Sequence, residues 1–187
     1  MVEDSYDGIL IAGEDRTYVE RVKRALEKAQ QSSYGYAIIK KYVGLIQEVE
    51  PPSGMRAYAN PPAFGMSRSV AFANGDEEFS LLWCASSIVH DAYHSKLYRD
   101  YADEHSSVPP SVWTGQAAEL ECNTHQKMFL QGLGAHGSAH IIEHLIQYLN
   151  GLDGMHYAGR INYGVEALAT PDTGCCLEIR PPDLPAR

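Results

Sequence analysis

Apolar positions recur at helical spacing over much of this chain, and short β-prone runs interrupt them. From Asp15 to Gln31, Tyr18, Val22, Ala25, Leu26 and Ala29 fall on one side, which predicts a helix. Tyr36 to Val49 reads as a second helix, stopped by Pro51-Pro52. Met55–Ala59 and Ser69–Ala73 read as short strands, with Asn60-Pro61-Pro62 and Gly65 punctuating the interval. A long helix is expected from Glu77 to Tyr101, a stretch with no Gly or Pro, after the turn and capping residues Asn74-Gly75-Asp76. Further helices are expected from Gln116 to a glycine cap near Gly134, and from Ala139 to Leu149.

The long helix carries the most informative residues. Trp83, Ser86, Ser87, His90, His94, Leu97 and Tyr101 recur along one side, so the histidines face apolar neighbours. His90 and His94 stand at i and i+4, one above the other, where both imidazoles can reach a single ion. Neutral imidazole is a zinc ligand, and catalytic zinc sites use three protein ligands plus water. His90-Asp91-Ala92-Tyr93-His94 differs from H-E-x-x-H by one methylene, with Asp91 in the general-base position. The plainer reading is a pair of packed histidines.

The next helix offers a third ligand. Ala118, Cys122, Phe129 and Leu133 form its apolar stripe. At roughly 100° per residue, Glu119 lies about 60° from Cys122 and Glu121 about 100° away on the other side. Glu119 is therefore the first choice and Glu121 the reserve. Asn123, four residues after Glu119, is placed to orient one of the histidines.

With these residues in place, Phe79 to Gly134 resembles the gluzincin metallopeptidases. They carry H-E-x-x-H on one helix and a ligand glutamate on the next, often with Asp four residues later. The matching positions are His90, Asp91 and His94, then Glu119 and Asn123. The resemblance implies a zinc-dependent cleavage of peptide bonds. It also implies a strand ahead of the motif helix that binds substrate main chain by edge pairing, here Ser69–Ala73.

A rival arrangement follows. His136, His140 and His144 fall at i, i+4 and i+8, and His140-Ile-Ile-Glu143-His144 matches the inverted pattern H-x-x-E-H. That pattern needs another acidic ligand downstream, from Asp153, Glu166, Asp172, Glu178 or Asp183. Alternatively both groups share one pocket, in which His136, His156 or Tyr157 stabilises an oxyanion.

Composition narrows the possibilities. With 187 residues and 44% hydrophobic positions, one domain spanning 1–187 with a real core is expected, and the Pro-bearing tail from Thr170 reads as a loose extension. A net charge of -9 without a Lys/Arg cluster disfavours nucleic acid and anionic membrane. No stretch approaches a membrane span and the acidic start is unlike a signal peptide, so a cytoplasmic location is expected. Cys84 and Cys122 read as small buried apolar groups, and Cys175-Cys176 as a reduced vicinal pair.

The sequence thus predicts a mostly helical α+β domain with a small sheet. A two-helix zinc site is formed by His90, His94 and Glu119, with Asp91 as base acting on a peptide or protein substrate. The alternatives are a zincin-like binding protein without turnover and a metal enzyme of other chemistry.

Overall fold

The structure, a computed structural model, describes residues 1–151. His156, Tyr157, Cys175, Cys176, the downstream acids from Asp153 onward and the tail from Thr170 lie outside the described residues. The fold is α+β: a five-stranded mixed sheet packed against a set of helices.

The chain begins with a hairpin that the sequence reading omitted. β1 (Val2–Tyr6) pairs antiparallel with β2 (Ile9–Gly13) through Asp7-Gly8, both at positive φ (46° and 82°). That is the turn chemistry a two-residue hairpin demands, and Asp-Gly is its usual carrier. α1 (Arg16–Gln30) follows where periodicity placed it, with the Asp15 side chain accepting from the Tyr18 N–H.

The expected helix from Tyr36 to Val49 is corrected. α2 (Ser33–Tyr42) ends early, and Leu45–Val49 is strand β3. Gly44 makes the switch: a Cβ there would lie 2.3 Å from the Pro61 ring, and its backbone bonds to Pro62 on one side and Leu10 on the other. β4 (Gly54–Arg56) is shorter than expected. The last strand, β5, is Ala63–Ser67, whereas the expected strand Ser69–Ala73 largely forms α3 (Arg68–Ala71). β5 escaped the reading because Gly65 looks like a breaker. In the sheet it is a close-packing position, where a Cβ would crowd Val49 at 3.1 Å.

The strand order is β1-β2-β3-β5-β4, with β2, β3 and β5 parallel and the two edge strands antiparallel to their neighbours. Ile11, Ile46, Phe64 and Met55 stand in register across the sheet, each at most 1% exposed, and form the floor of the core.

α4 (Glu77–Ala102) is the central element, packed by α1, α2, α3, β4 and β5 on the sheet side and by α6 beyond. Asp76 caps it by accepting from the Phe79 N–H at 2.8 Å, and Glu77 and Glu78 favour its positive end. From Ser80 to Ser95 every residue is buried, so the helix is enclosed on all sides and its polar residues, His90, Asp91 and His94 among them, lie in the interior. α5 (Pro110–Trp113) leads into α6 (Gln116–Gly132) and α7 (His136–Gly151). Between the last two, Gly134 at φ 73° closes a Schellman motif, with Gly134 N–H bonded to Gln131 O and Ala135 N–H to Leu130 O. No helix among the described residues is long and apolar enough to cross a membrane.

Candidate metal centre

α4 and α6 pack face to face, and their contact brings the expected ligands together. His90 Nε2 and His94 Nε2 are 3.1 Å apart. Glu119 reaches across from α6, with Oε2 3.3 Å from His90 Nε2 and Oε1 3.3 Å from His94 Nε2. Both Glu119 oxygens are buried and neither makes a hydrogen bond of acceptable geometry. Ligands about 2.0–2.1 Å from a tetrahedral zinc lie roughly 3.3 Å from one another. The imidazole pair is spaced as two such ligands are, and one Glu119 oxygen faces each imidazole at a similar distance.

The tautomer of His94 is fixed by its surroundings. Its Nδ1 lies 2.8 Å from the Trp113 carbonyl oxygen, which can only accept, so Nδ1 carries a proton and Nε2 is left to face His90 and Glu119. α5 exists at the right place to supply that carbonyl. Asn123, expected to orient a histidine, instead donates to the Glu119 carbonyl of its own helix at 2.7 Å. The outer support comes from Trp113, whose role lies in its backbone and has no sequence signature. One turn away, Gln126 donates to Ser86 Oγ at 3.0 Å and ties α6 to α4.

Glu121, the reserve ligand, is exposed and drops out. Cys122 enters in its place. It is fully buried, and the ligand atoms of His90, His94 and Cys122 all lie within 4.8 Å of one another, a group that could hold a metal ion. From the sequence Cys122 reads as a small buried apolar group, and the structure bears out its burial. The available signal was its spacing: three residues after Glu119, on the same face of α6. Asp91 is 1% exposed beside His90, and its charge acts on Cys122.

Charge couples these buried side chains to one another. Burial alone would raise the Glu119 carboxyl, but His94 and His90 outweigh it and hold it down at about 2. Burial pushes the Cys122 thiol up to about 11, against a lowering pull from His94. Burial also disfavours a charged His94, yet Cys122 and Glu119 lift it well above the ordinary imidazole value. A thiol titrating near 11 is uncharged at neutral pH, so Glu119 is the partner that acts there. One proton can bridge only one of these contacts at a time.

The rival histidines are arranged differently. His136, His140 and His144 are exposed on α7. His140 Nε2 and His144 Nε2 are 3.0 Å apart, but Glu143 is engaged by Lys127, and the pair has no third ligand among the described residues. The described residues do not join the two groups into one buried pocket.

No family model, no curated protein and no solved structure matches this chain.

Proposed function

We propose that this chain is a zinc-dependent hydrolase of the peptidase type, with His90, His94 and Glu119 as metal ligands and Asp91 as general base. The observation that carries the reading is the convergence of two imidazole nitrogens and an otherwise unpartnered carboxylate, at 3.1–3.3 Å, inside a buried helix interface. When bound, zinc supplies Lewis acidity and makes a water acidic enough to attack near neutral pH.

The chain's own residues supply the rest. Trp113 holds His94 in the ligating tautomer. Asp91, adjacent to His90, accepts the proton of the attacking water and passes it to the leaving amine. Its side chain is one carbon shorter than glutamate, about 1.5 Å less reach. A shortfall of that size costs on the order of 100-fold, so turnover is slow. The edge-pairing role expected of Ser69–Ala73 passes to β4. That strand packs against α4, pairs only with β5 among the described residues, and so leaves one edge for an extended peptide. Just beyond it, Tyr58 and Tyr98 stand edge-on to the Trp113 ring, placing aromatic surface next to the residue that orients His94.

The test pairs metal content with peptide cleavage. Untagged protein should hold about one zinc per chain, lost in His94→Ala and in Glu119→Ala, and should cleave an unstructured peptide library slowly. Protein that takes up no zinc, or zinc-loaded protein without cleavage under any condition, rejects the hydrolase reading.

A further inference from the structure

We infer that Cys122 Sγ is a fourth protein ligand, so that the centre is closed and water is kept off the ion until the thiolate leaves. The inference rests on the metal-binding reading above and extends it to the regulation of the site. Its basis is the count and placement of donors. His90 and His94 come from successive turns of α4, Glu119 and Cys122 from successive turns of α6, and all four side chains are at least nine-tenths buried. The sulfur lies within 4.8 Å of both imidazole ligand atoms. Glu119, whose oxygens lack hydrogen bonds, lies 3.3 Å from the same two imidazole nitrogens.

Two imidazoles, one carboxylate and one thiolate make a complete tetrahedral set of the borderline-soft kind that zinc prefers. Closed four-ligand sites are structural, whereas hydrolytic sites keep one position open. In this chain the two states differ by one side chain. Withdrawal of the Cys122 sulfur would open the position. The centre is therefore latent, with Cys122 occupying the place that the attacking water needs.

Cobalt(II) reports on sulfur ligation directly. The full chain, stripped of metal and given one equivalent of cobalt(II), should show the intense visible bands of a four-coordinate ion together with a near-ultraviolet sulfur-to-cobalt charge-transfer band. Cys122→Ser should keep the bound cobalt and lose the charge-transfer band, and Cys122→Ala serves if the serine variant misfolds. Stoichiometric cobalt binding by the unmutated chain without that band overturns the inference and leaves the His90–His94–Glu119 centre standing. A band that survives in both variants assigns the sulfur elsewhere and also overturns it. An unmutated chain that takes up no cobalt removes the metal reading itself.

Discussion

His94 donates its Nδ1 proton to the Trp113 carbonyl at 2.8 Å, and this bond decides which nitrogen faces the centre. The ligand helix and the short helix before α6 are thereby coupled: α5 must be seated for Nε2 of His94, and not Nδ1, to face the centre. Deleting Pro110–Trp113 and bridging the gap with glycines should cost zinc affinity on the order of 10–100-fold, the usual effect of losing an outer partner. Competition with a chromogenic chelator measures it.

Asp91 separates binding from turnover. Asp91→Asn should retain zinc while lowering peptide cleavage by roughly 10²–10⁴-fold, the contribution typical of a positioned acid or base. Asp91→Glu should raise cleavage by restoring the missing reach. Equal rates in all three proteins would remove Asp91 from the chemistry.

Metal uptake should expel protons, and their number identifies the ligands. In the metal-free chain His94 titrates well above its ordinary value, so near pH 7 it is charged and must lose a proton to bind zinc. Cys122, near 11, loses a second if it ligates, whereas Glu119, near 2, is already ionised. Protons compete with the ion, so affinity falls as pH falls and rises as pH rises. Calorimetry in buffers of different ionisation enthalpy should give about two protons per zinc, and about one in Cys122→Ser.

His140→Ala should leave the zinc of the buried centre in place, because the α7 pair is exposed and lacks a third ligand among the described residues. Elemental analysis beside His90→Ala decides it: the metal should vanish from the second variant alone.

Gln126→Ala should destabilise the fold by about 1–3 kcal/mol, since its amide ties α6 to Ser86 in a buried setting. Urea denaturation reads the loss.

The long helices, and the faces that bring His90, His94 and Glu119 together, were legible in the sequence because both rest on periodicity. His90 and His94 share a face by spacing alone, and Glu119 lies at the edge of the α6 stripe. The sheet was harder to see. Gly44 and Gly65 behave as breakers in a linear reading but serve as close contacts in three dimensions, where Pro61 and Val49 occupy the room a Cβ would need. Leu45–Val49 was taken into the preceding helix because Leu, Ile and Val suit either period in so short a run. The Asp7-Gly8 turn was a readable signal that went unused. Trp113 was invisible in principle, because a carbonyl oxygen belongs to every residue.

The four donors come two from α4 and two from α6, elements that belong to different neighbourhoods of the fold. α4 is embedded in the sheet half, while α6 shares its other large contact with α7. An ion held between them would act as a reversible rivet joining the α6–α7 hairpin to the body. Stripping it should then loosen that hairpin as one unit before the sheet half unfolds, which would tie the mechanical integrity of the molecule to its metal supply.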